Sequence, residues 1–309
     1  DGTKMGYGKD GDLYLYTFET QKTTRFTDDA EKHFYNGRWG WAYEEEFGLV
    51  QAWHWSHDSK YIAFWQSDER EVPIYRLTDF SDTHPQYMEV PYPKVGDKAP
   101  EVKVGIINTE TSEKTWIDFD LQGGYIPRIY WTSEADKLAI VSLNRAQNNL
   151  KLHFADVVTK EKNLVYEETS DTWIDVSDFF SNEQNHFYFP EDMKKFFLVS
   201  EVDGWAHIYM IDYNGEKINQ VTSGEYEVTG IKAIDTEKKT LYYLSTEVSP
   251  LARNLYSIKF NGKKKTRITQ GEGSHRVDLS PDGKYFFDSY SDVNTPSQVD
   301  FSSTDGKST

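Results

Sequence analysis

Apolar and polar positions alternate along most of the chain in short runs, separated by turn-forming residues. Leu13 to Thr27 (LYLYTFETQKTTRFT) is an alternating stretch, a polar turn and a shorter second run, the pattern of a β-hairpin. This 15-residue unit returns at Val104 to Asp118, Leu152 to Tyr166, Ile208 to Thr222 and Leu255 to Thr269. No helical stripe is found beyond short loop turns. Alternation alone leaves three all-β architectures open: a propeller, a pair of sandwiches and a β-solenoid. Spacing decides among them. Starts at 104, 152, 208 and 255 lie 48, 56 and 47 residues apart, matching four-stranded propeller blades of about 40 to 50 residues.

A second unit precedes each hairpin. It reads WSHDSKYIAF from Trp55 and LSPDGKYFF from Leu279, with weaker copies from Trp131, Phe189 and Ile234. The Asp-Ser-Lys and Asp-Gly-Lys steps predict a tight turn between two strands. Strand, turn, strand and hairpin make one blade. Complete blades are expected at about 50–118, 125–166, 185–222 and 228–269, with a partial blade at each end. One blade carries an insertion of some forty residues between Phe64 and Val104. Alternation at 72–77 and 87–90 predicts a hairpin arm over about 72–95. Such an arm could meet a partner or be a solvent-facing excursion, and the pattern alone leaves both open.

Composition fits this picture. Aromatics form 16% of the 309 residues, with 21 Tyr, 18 Phe and 9 Trp, and these favour a pleated, half-buried surface. A mean hydropathy of −0.73 is compatible with a core if only every second strand residue is apolar. Acidic residues outnumber basic ones 51 to 34, for a net charge of −17. That argues against nucleic acid and anionic membrane surfaces, which need clustered cations. The absence of cysteine excludes disulfides, thiolate metal sites and a cysteine nucleophile. No apolar run approaches the roughly 18 residues of a membrane span. A chain opening on Asp1 without Met, with partial blades at both ends, is expected to be a piece of a longer protein.

The sharpest local feature is WGWAYEEEF, Trp39 to Phe47. It reads either as a solvated acidic loop or as a cation site with aromatic walls, since carboxylates near a desolvating ring face attract an ammonium. Neighbouring residues point to opposite faces of a strand and lie about 100° apart on a helix, so adjacent glutamates share a ligand only on a turn. A short helical turn is therefore predicted over Tyr43 to Gly48. Nucleophilic catalysis finds little support, because no Gly-x-Ser-x-Gly elbow occurs. His54, His57, His153, His186 and His207 are scattered and read as packing or surface residues. No metal spacing stands out, and no cofactor is assigned. Lys263 to Lys265 reads as a solvated hairpin tip.

Tyr43-Glu44-Glu45-Glu46-Phe47, then Trp55-Ser56, Glu71-Val72-Pro73 and Tyr92-Pro93-Lys94-Val95-Gly96, resembles the dipeptidyl peptidase IV family of serine peptidases. The likeness is to its N-terminal β-propeller and continues through Asp203-Gly204, His207-Ile208-Tyr209, Thr222 to Val228 and Arg253 to Tyr256. It implies an eight-bladed propeller capping an α/β-hydrolase domain with a Ser-Asp-His triad. Such an enzyme, secreted or periplasmic, releases Xaa-Pro or Xaa-Ala dipeptides from peptides with a free N-terminus. The family's ammonium-binding glutamates fall on Glu45 and Glu46; Glu44 receives no ligand role. Fixing the N-terminus at a set distance from the serine would place the cut two residues in. The 72–95 excursion resembles the family's dimerisation arm. The hydrolase domain, the first blades and an arginine near the substrate carbonyl are missing from the chain, which alone should be inactive. Around Trp173 to Phe180 the likeness is loose, and no subsite residue is carried over. Propeller homologues without peptidase activity exist, so a non-catalytic scaffold is the second reading; a carbohydrate-binding or carbohydrate-hydrolysing propeller ranks last.

Overall fold

The computed structural model describes residues 2–176, 186–271, 273–280 and 282–305. Outside them lie the expected blade start near 185, Pro281 of the second turn motif, residues 177–180 of the loosely matching stretch and residues 306–309. Two compact units are present, Asp1–Asp178 and Phe179–Thr309.

In the first unit, β1 (Lys4–Lys9), β2 (Asp12–Thr17) and β3 (Lys22–Arg25) form a three-stranded antiparallel sheet. Next come β4 (Phe34–Asn36), helix α1 (Trp41–Phe47), β5 (Trp53–Trp55) and β6 (Tyr61–Asp68). An arm of β7 (Ile74–Asp79) and β8 (Gln86–Pro91) precedes β9 (Glu101–Asn108) and β10 (Lys114–Ile117). The sheet order is β10-β9-β6, and one edge of β6 is shared: β5 pairs with Ile62–Phe64 and β4 with Gln66–Asp68. The arm is a separate two-stranded sheet. β11 (Tyr125–Trp131), β12 (Lys137–Leu143), β13 (Asn149–Asp156) and β14 (Lys162–Thr169) form a four-stranded sheet in sequence order.

The second unit repeats the scheme. β15 (Phe187–Tyr188), β16 (Lys195–Ser200), β17 (His207–Asp212) and β18 (Lys217–Gln220) make one four-stranded sheet. β19 (Val228–Asp235), β20 (Thr240–Ser245), β21 (Asn254–Lys259) and β22 (Thr266–Arg267) make another. β23 (Ser274–Leu279), β24 (Tyr285–Ser291) and β25 (Gln298–Ser303) make a three-stranded sheet. Successive four-stranded antiparallel sheets, each in sequence order, are the way propeller blades are built, and the fold is a β-propeller fold. Four-stranded sheets follow the repeats at β11–β14, β15–β18 and β19–β22, whereas the sheet expected at about 50–118 also takes in β4 at Phe34–Asn36.

The repeat has a chemical cause. Ser56 Oγ donates to Asp58 Oδ1 at 2.7 Å and accepts from the Tyr61 amide at 2.9 Å. Ser280 Oγ does the same with Asp282 and Tyr285, at 2.7 and 3.0 Å. Serine and aspartate thus close the turn on their own backbone. The position after the aspartate takes a left-handed φ, 61° at Ser59 and 64° at Gly283.

The core corrects the simple alternation argument. β20 is buried at all six positions, yet its residues still alternate. Leu241 and Tyr243 enter one cluster with Phe197 and Ile208 of the preceding sheet. Tyr242 and Leu244 enter another with Val277 and Phe286 of the following one. A middle blade is covered on both faces, so period two sorts its side chains between two cores. Among the described residues no helix is long and apolar enough to cross a membrane.

Candidate functional site

Trp65 sets the position of the acidic segment. Its carbonyl accepts from the Gly37 amide at 2.8 Å, and its amide donates to the Ala52 carbonyl at 3.0 Å. Chain 37–52 therefore leaves and rejoins the edge of β6 at one residue, between the strands β4 and β5. Helix α1 lies within this excursion. It starts two residues before the turn expected from sequence, and Gly48 closes it with φ 60°.

One helix face is locked and the other is offered to solvent. Tyr43 and Phe47, one turn apart, are each 1% exposed. Tyr43 stacks on Trp39 with ring centroids 4.6 Å apart, and Phe47 meets Tyr125 of β11 at 5.3 Å. The Ile126 amide donates to the Tyr43 hydroxyl at 3.2 Å, and burial pushes that phenol's pKa up. With this stripe inward, Glu44, Glu45 and Glu46 are exposed. Glu45 and Glu46 line one pocket of about 440 Å³, walled by Trp41, Tyr43, Tyr125 and Arg145 and by the Pro93–Gly96 turn at the base of the arm. Glu44 is outside that lining. Trp41 also meets Tyr92 at 4.1 Å, so the helix and the arm base share an aromatic contact.

Both ends of the helix rest on buried charged-type residues that sequence reasoning missed. Glu69, 1% exposed, sits against Gly40 at the N-terminal end, and Ser67 Oγ donates to its Oε1 at 3.2 Å. Burial pushes its pKa up to about 7, opposed by the Ser67 bond and the Arg38 charge and reinforced by Glu44. Arg128, 3% exposed, donates to the carbonyls of Phe47 and Val176 at 2.9 Å and of Pro127 at 2.8 Å. Burial lowers its pKa.

Gln147 was also missed, and it touches the pair directly. Its Nε2 donates to Glu46 Oε1 at 2.6 Å, while its Oε1 accepts from Trp173 Nε1 at 2.9 Å. Arg145 lies over the Tyr125 ring at 5.3 Å and donates to the Asp97 carbonyl at 3.3 Å. The histidines lie elsewhere: His207 is buried between Thr222 and the Gly224 carbonyl, and His54 stands edge-on to Trp65, its pKa pushed down to about 4 by burial. Among the described residues no group of three His, Cys, Asp or Glu could hold a metal ion.

A β-propeller with an acidic helix inserted beside a blade edge defines the class. The model of the dipeptidyl peptidase IV N-terminal region matches residues 1–297, and the chain belongs to this family. Dipeptidyl peptidase 4 of Trichophyton rubrum is 30% identical over 320 residues, covering 98% of this chain and 40% of that protein. Probable dipeptidyl peptidase 4 of Arthroderma benhamiae is 31% identical over 319 residues, with the same coverage. The crystal structure of Porphyromonas gingivalis dipeptidyl peptidase 4 superimposes with a TM-score of 0.92 at 31% identity, covering 99% of this chain and 43% of that one. The chain thus spans about 40% of the length of the curated relatives it matches.

Proposed function

We propose that this chain is the substrate-recognising propeller region of a serine dipeptidyl aminopeptidase, in which Glu45 and Glu46 hold the α-ammonium of a peptide N-terminus. The observation that carries this reading is that both glutamates line one aromatic-walled pocket. The buried Tyr43 and Phe47 leave the acidic face of the helix outward, and an ammonium between carboxylates and ring faces gains both Coulombic and cation–π attraction. The parent enzyme would release Xaa-Pro or Xaa-Ala dipeptides through a separate α/β-hydrolase domain, and this chain alone would be inactive. An extracytoplasmic location and a homodimer formed through the 72–95 arm belong to the same reading. The arm exposes Ile74, Tyr75, Leu77, Tyr87 and Met88, apolar surface that suits a partner.

The test uses the full-length protein and an H-Xaa-Pro-chromophore substrate beside its N-acetylated form. Turnover of the first alone is expected. Glu45→Ala and Glu46→Ala should each lower kcat/KM about 10²-fold, as for a lost charge-assisted contact. Unchanged kinetics in both variants would remove the ammonium role. No turnover by the full-length protein would leave a non-catalytic scaffold.

A further inference from the structure

Gln147 lies 101 positions from Glu46 in sequence and within hydrogen-bond distance of it in space. Carboxamide oxygen and nitrogen are distinguished only by their partners, and here the partners decide. An indole N–H can only donate, so Trp173 fixes the oxygen on its own side and turns the NH₂ group toward Glu46. The backbone is held as firmly. Gln147 has a left-handed φ of 54°, its amide donates to the Asn144 carbonyl at 3.0 Å, and its carbonyl accepts from Ile174 at 2.8 Å. Asn144 Oδ1 accepts from the amides of Asn148 and Asn149, both at 3.0 Å, which pins the β12–β13 turn carrying Gln147.

From this geometry we infer that Gln147 is a positioning residue: clamped by Trp173 and by its own turn, its amide holds one oxygen of Glu46 and so orients that carboxylate in the pocket. The inference deepens the ammonium-binding reading and rests on it. A neutral donor suits the task. Lysine or arginine at this place would pair with Glu46 and cancel the charge meant for an ammonium, whereas an amide orients the carboxylate and leaves its charge intact. The nearby cation, Arg145, is turned onto Tyr125 and the Asp97 carbonyl.

The test uses the full-length enzyme with a free-N-terminal dipeptidyl substrate, following KM, kcat, the pH profile of kcat/KM and the thermal midpoint. Gln147→Leu keeps the bulk and removes the donor. It should raise KM about tenfold with kcat changed less than twofold, the pattern of a weakened ground-state contact. Trp173→Phe, at a half-exposed position, unlocks the amide and should raise KM about threefold. Gln147→Glu sets a second carboxyl against Glu46. One of the two should then hold its proton to higher pH, moving the acid limb of kcat/KM upward by about one pH unit or more. A merely structural residue would lower the thermal midpoint without moving that limb. In a Glu46→Gln background, Gln147→Leu should have no further effect on KM. If Glu46→Gln lowers kcat/KM while the Gln147 variants leave KM and the acid limb unmoved, this inference falls and the ammonium reading stands. If Glu46→Gln changes nothing, both fall.

Discussion

Arg128 Nη2 donates to the Phe47 carbonyl at 2.9 Å, tying the last residue of the acidic helix to a strand of the neighbouring blade. The same guanidinium satisfies the carbonyls of Pro127 and Val176. A helix of seven residues has little stability of its own, and a cation at its carbonyl end also meets the negative end of its dipole. Replacing Arg128 by Met keeps the volume and leaves three buried carbonyls without this donor. We expect a loss on the order of 3 kcal/mol, read as a lower urea midpoint at constant m. Kinetically, KM for a free-N-terminal peptide should rise as the helix shifts. A loss below about 1 kcal/mol would show that the carbonyls find other donors.

At the opposite end, Gly40 is required by space. A Cβ there would stand 1.8 Å from Glu69 Oε1 and 2.1 Å from Oε2. The carboxyl ends a flexible side chain, yet Glu69 is only 1% exposed, so moving it disturbs buried neighbours. Gly40→Ala should cost about 2 kcal/mol, as overpacking does. With Glu69→Ala also present the clash vanishes, and a double-mutant cycle should return a coupling energy of about 1–3 kcal/mol. Additive effects would mean that the backbone at residue 40 moves aside freely.

Glu69 also gives the fold a pH signature whose sign follows from burial. Its folded pKa is about 7, against an ordinary value of 4.5. Oε2 is buried away from water, while Ser67 Oγ donates to Oε1. Between these pKa values Glu69 binds its proton more in the folded protein than in the unfolded chain, so its own contribution to stability falls as pH rises. The protonated carboxyl is tolerated below about pH 4.5; the penalty grows toward pH 7 and is constant above it. Glu69→Gln retains the opposite slope of His54, whose lowered pKa makes stability rise with pH over the same window, and relative to it the unsubstituted protein should lose on the order of 3 kcal/mol. Thermal midpoints of both proteins from pH 4.5 to 7.5 provide the measurement. Parallel curves would place the titration outside the fold.

The blades were legible in the sequence because a four-stranded sheet in sequence order is written in local chemistry. Ser56, Asp58 and Tyr61 bond within six residues of one another, so the motif that makes the turn is contiguous. The helix was legible for a different reason: adjacent glutamates can face one ligand only from a turn, not from a strand, which predicted the turn over Tyr43 to Gly48. Its first turn was placed late because Gly40 caps it without a side-chain hydrogen bond, leaving no Ser, Thr, Asp or Asn to mark the start. Arg128 was invisible because it binds backbone carbonyls, which carry no residue identity. Gln147 and Trp173 were invisible because their link is tertiary: the turn at 144–149 and the stretch near 173 meet through backbone bonds, and nothing in LNRAQNN announces a carboxylate 101 positions away.

The hairpin repeat is also closed at its open end by a side chain. In three of its five copies the first residue's amide donates to the hydroxyl of the last: Leu13 to Thr27 at 2.9 Å, Ile208 to Thr222 at 2.9 Å and Leu255 to Thr269 at 3.0 Å. The same threonine oxygen also meets the preceding polar residue. It donates to Asp12 at 2.7 Å, lies 3.1 Å from His207 Nδ1 and accepts from Asn254 at 3.2 Å. Each hydroxyl thus closes the open end of a hairpin and is buried while doing so. The copies ending at Asp118 and Tyr166 have no threonine there. Thr222→Val and Thr269→Val keep the shape and strand an amide in the interior, so each should cost about 1–3 kcal/mol. Thr27→Val should lie at the upper end, because it also removes a donor from the buried Asp12 carboxylate, whose pKa is held down by Arg25, Thr27 and Asn36 against the opposing effect of burial. Amide hydrogen exchange at Leu13, Ile208 and Leu255 separates this account from a general loss of packing. In each variant the amide at the start of its own hairpin should exchange faster by 10-fold or more relative to its neighbours in the same strand. Uniform acceleration along the strand would assign the cost to packing and not to the clasp.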